Sequence, residues 1–162
     1  MNLRHKWVYL VLARGSSTVS VDAKGRIAIP TKHRDALINA SNGAMVVTIS
    51  AEHHCLWLYT LPAWEEVESK LVSLPTLDPQ VSRLKSMLIG HADDCDMDSN
   101  GRLLLPPDLR KFAEIGKKAT LIGQGDKFEI WDEEQWIAHR ESFMAEDFDK
   151  SALPPELQTL AF

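Results

Sequence analysis

The chain has little cysteine, no long apolar run and no surplus of positive charge. Cys55 and Cys95 are its two cysteines. Their spacing fits neither a disulfide framework nor a CxxC redox or zinc pair, and a reducing cytoplasm is the simplest compartment. The apolar run Trp7–Ala13 follows Arg4, His5 and Lys6 as a signal peptide would. It is too short to span a membrane and stops at Arg14 without a small-x-small cleavage pattern, so an extra strand or an extension is expected there. No P-loop, no nucleophile paired with a base and no framed carboxylate pair stands out, so neither an enzyme nor a small-molecule substrate is expected. Eighteen basic against 23 acidic residues give a formal charge of −5, which by itself argues against nucleic acid. The local distribution of charge has to decide. What is present, 44% hydrophobic and 25% charged residues over 162 positions, suits a globular protein of one domain or two small units.

Laid upon itself, the sequence repeats. Asp22-Ala-Lys-Gly25-Arg26-Ile-Ala-Ile-Pro30 matches Asp98-Ser-Asn-Gly101-Arg102-Leu-Leu-Leu-Pro106, an offset of 98 − 22 = 76 residues, and Arg34 matches Arg110 at the same offset. Each proline leads into a short helical pattern. Ala44–Ile49 and Leu56–Tyr59 then pair with Ala119–Gln124 and Phe128–Trp131 as strands, and each copy runs into an acidic helix start at Trp64 or Trp136. Pro62 suits a helix first turn, and early carboxylates suit its positive end. Between the copies, Asp78-Pro79 opens a helical period through Val81, Leu84, Lys85, Leu88 and Ile89 that stops at Gly90. The expected organisation is a first unit at 16–63, a helical connector at 64–91, a second unit at 92–135, and a C-terminal helix and tail at 136–162. In that tail Leu157, Leu160 and Phe162 are candidates to dock on a neighbouring subunit.

The D-x-x-G-R element has a physical reading. An Asp side chain accepts hydrogen bonds from backbone N–H groups just ahead of it, and a Gly three residues on supplies a positive φ. Asp22 with Gly25, and Asp98 with Gly101, therefore structure two tight turns. The Arg that follows opens an aliphatic strand, and Pro ends the pairing and starts a helix. A single such pentapeptide is ordinarily a solvated turn; two in equivalent repeats are a signal.

The two copies differ in charge. From Arg14 to Arg34, five basic residues (Arg14, Lys24, Arg26, Lys32, Arg34) face the single acid Asp22, a net of +4. From Gly90 to Arg110, Arg102 and Arg110 face Asp93, Asp94, Asp96, Asp98 and Asp108, a net of −3. Phosphate attraction needs a positive surface, so the first copy is expected to hold DNA. Arg26 is the candidate for base-edge contact, with Lys24, Lys32 and Arg34 on phosphates and Arg14 also in the DNA-binding set; Arg102 is a weaker DNA-binding candidate, expected rather to support structure or a subunit contact. The acidic window is expected to repel non-cognate DNA.

The two D-x-x-G-R…P units, with Gly90-His-Ala-Asp-Asp-Cys-Asp-Met-Asp98 and Lys127-Phe-Glu-Ile-Trp131-Asp, resemble the MraZ family of bacterial transcriptional regulators from Arg14 to about Phe143. The resemblance implies an α+β fold, mainly β: two tandem AbrB/SpoVT-like swapped-hairpin units interleaved in one chain with flanking helices. It further implies a ring-like homo-oligomer, association with the nucleoid, and double-stranded DNA carrying short direct repeats, upstream of division and cell-wall genes. The family's DNA-facing D-x-x-x-R loops carry over to Asp22, Lys24 and Arg26, and to Asp98 and Arg102. Similar proteins begin close to Arg14, so residues 1–13 are expected to be an extension from an upstream start codon.

Other motifs carry less. Asp96-Met-Asp98-Ser-Asn100-Gly101 matches the front of a calcium loop, but the twelfth position is Pro107 where the bidentate Glu belongs. His91 with Cys95, and His53-His54-Cys55, do not align between the copies, so no metal and no cofactor are expected. Gly123-Gln-Gly125 reads as a hairpin turn. The competing reading from another class is an AbrB-fold interaction or antitoxin-like module whose basic loop meets an acidic protein.

Overall fold

The structure is a computed structural model in which residues 13–160 are described. The strand or extension expected before Arg14 falls, up to residue 12, outside the described residues, as does Phe162 of the tail. The first unit starts with strand β1 (Ser16–Ser20), the Asp22 turn, strand β2 (Arg26–Ala28) and helix α1 (Thr31–Ser41). Strands β3 (Met45–Ile49) and β4 (Leu56–Thr60) and helix α2 (Leu61–Ser73) follow. Helix α3 (Pro79–Leu88) leads to the second series: β5 (Asp93–Asp94), β6 (Arg102–Leu104), α4 (Pro107–Phe112), β7 (Lys118–Gly123), β8 (Phe128–Asp132) and α5 (Glu133–Met144). Two single 3-10 turns, Lys150–Ala152 and Pro155–Leu157, carry the tail, where Leu157 and Leu160 are exposed.

Local chemistry explains the boundaries. The Thr60 hydroxyl accepts from the Ala63 N–H at the start of α2, with Pro62 in the first turn. Asp78 accepts from the Gln80 and Val81 N–H groups at the start of α3, and Asp132 from Gln135 at the start of α5. Each cap satisfies donors that the helix itself leaves open. Helix α2 starts three residues before Trp64, so Glu65 and Glu66 fall beyond its first turn and leave it no acid there. The reading of early carboxylates holds for α5, whose first turn carries Glu133 and Glu134. Helices α2 and α3 make up most of the region 64–91.

The strand order shows how the repeats combine. Six strands form an antiparallel sheet in the order β1-β7-β8-β4-β3-β5. The order is its own mirror under exchange of the repeats: β1 trades with β5, β7 with β3, and β8 with β4. A pseudo-twofold axis therefore passes between β8 and β4, at the Trp57↔Glu129 pair. β2 and β6 stand apart from the sheet as a two-stranded antiparallel ribbon, so each repeat lends one strand to the other. The result is an α+β fold, mainly strand, with its two halves interleaved.

Alternation places the core. Leu56, Leu58, Phe128, Ile130, Val47 and Leu121 point from one face of the sheet onto Ile27, Ile29, Leu103 and Leu105 of the ribbon segments, all essentially inaccessible to water. The opposite face packs Val46 and Tyr59 against Trp64, Leu71 and Leu88 of the helices. Glu129 also lies on that face and is 6% exposed. Its carboxylate accepts from the Trp57 and Trp131 indole N–H groups, each at 3.2 Å, and from the Cys55 thiol at 3.6 Å, which leaves no charged oxygen orphaned on the axis. Burial, and then the nearby Glu129 charge, push the Cys55 thiol far up. Burial likewise pushes the Cys95 thiol up to about 12. Both are buried thiols free of a disulfide, and the raised pKa disfavours the reactive thiolate.

Candidate nucleic-acid interface

Each turn is built as its sequence predicts. One Asp22 oxygen accepts from the backbone N–H groups of Lys24 (2.9 Å) and Arg26 (2.8 Å), and Gly25 takes φ +87°. In the second copy Asp98 accepts from Asn100 (2.8 Å) and Arg102 (2.9 Å), and Gly101 takes φ +74°. The other carboxylate oxygen binds the Arg side chain: Arg26 Nε at 2.7 Å from Asp22, and Arg102 Nε at 3.2 Å from Asp98. An arginine held through Nε keeps its two terminal amino groups available on a fork whose plane is fixed. That is the edge a bidentate acceptor needs.

The turn has a pH signature. The Arg26 N–H first, then the Arg26 side chain and the Lys24 N–H, hold the Asp22 carboxyl down at about 2 against an ordinary 3.8. Asp98 is lowered for the same reasons, the Arg102 N–H first. A depressed carboxyl stabilises the fold while ionised, so the contribution is complete above about pH 4 and is lost as the pH falls through 2. NMR shifts of the Lys24 and Arg26 amides are expected to titrate with a midpoint near 2. A midpoint at the ordinary carboxylate value would mean the turn does not hold Asp22.

The glycines have a second role that connects the repeats. A Cβ on Gly25 would run into the guanidinium of Arg110, and a Cβ on Gly101 into that of Arg34. Arg110 Nε donates to the Leu105 carbonyl at 3.1 Å, and Arg34 Nε to the Ile29 carbonyl at 2.8 Å. The Ile29 N–H donates to the Gly101 carbonyl (2.8 Å), and the Leu105 N–H to the Gly25 carbonyl (3.1 Å). Each turn is thus clasped by the arginine of the other repeat. The matched Arg34 and Arg110 of the sequence are buttresses, and Arg34 is half-buried in that role.

The ribbon gathers the rest. Arg26 pairs with Leu104, Ile27 with Leu103 and Ala28 with Arg102. Ile27 and Leu103 face the core, which leaves Arg26, Ala28, Arg102 and Leu104 on the outer face. The side chains of Arg26 and Arg102 are 30% and 36% accessible. Lys24 is exposed at the first turn, and Asn100 occupies its place in the second. Of the predicted basic set, then, Lys24, Arg26 and Arg102 come together. Arg14 lies before β1, at the end away from the Asp22 turn, and the Lys32 amine reaches Gly15 at that same end.

The acidity of the second window disperses in three dimensions. Asp98 is matched to Arg102, and Asp96 accepts from the Met45 N–H at 3.3 Å. Asp93 and Asp94 form the edge strand β5 and line a groove with Glu65, Glu68 and Trp64. What distinguishes the two turns themselves is one charge, Lys24 against Asn100. Leu104 and Glu129 escaped the sequence reading, Leu104 because it stands inside an aliphatic triplet whose exposed member only strand register reveals. Among the described residues, no cluster of three or more His, Cys, Asp or Glu side chains is arranged to hold a metal ion, and no helix is long and apolar enough to cross a membrane.

Comparison with known proteins agrees with the doubled architecture. The family model described as MraZ protein, a description that also carries the words antitoxin-like, matches residues 12–86 and again 88–153. A protein of Coxiella burnetii named transcriptional regulator MraZ is 46% identical over 149 residues, covering 91% of this chain and 98% of its own. Proteins of the same name from Halorhodospira halophila, 48% identical with the same coverage, and Pseudomonas aeruginosa, 46% identical over 147 residues, match similarly. Two matches in tandem that follow the internal repeat, and near half identity across almost the full length of each relative, leave one assignment: the chain belongs to the MraZ family.

Proposed function

We propose that this chain is a sequence-specific DNA-binding regulator of transcription, not an enzyme, and that the β2–β6 ribbon is its reading surface. The observation that carries the proposal is the pair of arginine forks, Arg26 and Arg102, each locked by an Asp through Nε and displayed on one outer face. Bidentate arginine to guanine is the commonest specific base contact, and a two-stranded ribbon fits the major groove. Lys24 sits where a phosphate passes, while Arg14 and Lys32 offer charge to the backbone further out. Arg34 acts through its clasp on Gly101. The site takes no cofactor and no metal.

Double-stranded DNA with short direct repeats is the proposed target, met by a ring-like homo-oligomer in the cytoplasm, at the nucleoid. Repeated weak sites on a ring gain avidity without strong charge on any one turn, which suits a chain of net charge −5. The names of the relatives favour regulation of transcription. The test is fluorescence anisotropy on a labelled fragment from upstream of the division and cell-wall genes, against a scrambled fragment, over a salt series. Tighter binding to the first fragment at every salt concentration is expected. Equal binding to both would remove the function while leaving the fold, and a basic surface for an acidic protein partner would then be the reading.

A further inference from the structure

The ribbon's outer face holds one side chain that charge does not explain. In the triplet Leu103-Leu104-Leu105 the first and last are wholly buried, yet Leu104 is 55% exposed. Its strand partner is Arg26. Directly paired residues on one face of an antiparallel ladder have Cβ atoms about 4.5–5.5 Å apart, so the Leu104 methyl groups stand beside the stem of the Arg26 fork. The equivalent position across from Arg102 is Ala28, with a single methyl. The outer face therefore reads as two unequal pairs, Arg with Leu and Arg with Ala, each drawing one member from each repeat.

In the major groove the thymine C5-methyl is the apolar feature, and guanine offers the O6 and N7 acceptors that an arginine fork takes. A fork with a branched apolar group at its side is complementary to a guanine with a thymine next to it. We propose that Leu104 is a specificity-determining residue that packs on the C5-methyl of a thymine neighbouring the guanine bound by Arg26. The inference rests on the DNA-binding reading and deepens it. It also gives the second repeat a direct part in the site of the first: Arg26 comes from one half of the chain, and its apolar neighbour from the other. Ala28 reaches less far, so methyl recognition is strong at one end of the ribbon and weak at the other.

Deoxyuridine removes only the methyl group and keeps base pairing, which makes the test specific. In the preferred fragment, each thymine position is replaced by deoxyuridine in every repeat, one position at a time, and anisotropy titrations are run with wild type, Leu104→Ala and Leu104→Val. For wild type, one position is expected to lose about fourfold per site, the worth of one buried methyl group. Leu104→Ala should bind the unmodified fragment more weakly and be indifferent to deoxyuridine at that position, while Leu104→Val keeps part of the dependence. Because the side chain is exposed, the variants should melt with wild type, which separates recognition from folding. Wild-type indifference to deoxyuridine at every position, or undiminished sensitivity in Leu104→Ala, overturns the inference while leaving DNA binding intact. Failure of wild type to prefer the unmodified fragment to the scrambled one overturns the underlying reading, and this one with it.

Discussion

Gly25→Ala is expected to lower folding stability by about 2–4 kcal/mol, and Gly101→Ala by a similar amount. Two causes add. A non-glycine residue in the left-handed region costs about 1–3 kcal/mol, and both positions lie there, at φ +87° and +74°. The new methyl also displaces the clasping guanidinium, Arg110 over Gly25 or Arg34 over Gly101. Its charge-assisted bond to the Leu105 or Ile29 carbonyl, of the class worth about 1.5–3 kcal/mol, is weakened. At this chain length the loss corresponds to a fall in Tm of roughly 5–15 °C. The decisive measurement is a double-mutant cycle by urea unfolding. Arg110→Met costs stability in wild type but much less beside Gly25→Ala, because the bond it removes is already disturbed. Strict additivity would show that the new methyl leaves the clasp undisturbed and that φ alone sets the glycine.

Arg26→Ala is expected to weaken binding to the preferred fragment by about 10- to 100-fold and to erase discrimination at one base pair, since a good bidentate pair is worth about 1–3 kcal/mol. Arg26→Lys should not rescue it. A lysine amine is a point charge and cannot hold the Asp22 oxygen while offering two parallel donors to a base. Lys24→Ala, by contrast, should lower affinity alike for all sequences and reduce the slope against salt by about one charge. Arg102→Ala tests how far the repeats are equivalent. Its fork is anchored as Arg26 is, but at 3.2 Å instead of 2.7 Å and beside Asn100 instead of Lys24, so a smaller loss is expected. Equal losses would mean that the two ends of the ribbon read DNA with equal weight. No loss from Arg26→Ala would remove the ribbon from the interface.

The turns were legible because everything that makes them is local. Asp22 and Gly25 lie three residues apart, and the hydrogen bonds from Asp22 reach only to Lys24 and Arg26. The strands at Ala44–Ile49 and Phe128–Trp131 were legible for a similar reason, because a buried strand must be apolar wherever it ends up. Charge was less legible. A window of sequence is not a surface: Asp93, Asp94, Asp96 and Asp98 are close in the chain, yet the fold sends the first two to a sheet edge and ties the others to Met45 and Arg102. The contact of Arg34 with Gly101 left no mark in the sequence, because Gly101 lies in the other repeat.

By itself the sequence determined the repeat, the two Asp-Gly turns, the arginine that follows each, the helix start at Asp78-Pro79, and helices that begin a few residues before Trp64 and Trp136. These depend on backbone preferences and hydrogen bonds spanning a few residues, which act alike in any context. Only the tertiary structure decided that β2 pairs with β6, that the arginines of α1 and α4 cross over to clasp the opposite turns, and that Arg26 and Leu104 share a face. Strand pairing between segments 76 residues apart leaves no local trace. It is selected by the burial of Ile27, Ile29, Leu103 and Leu105 in one common core, which neither repeat can complete alone.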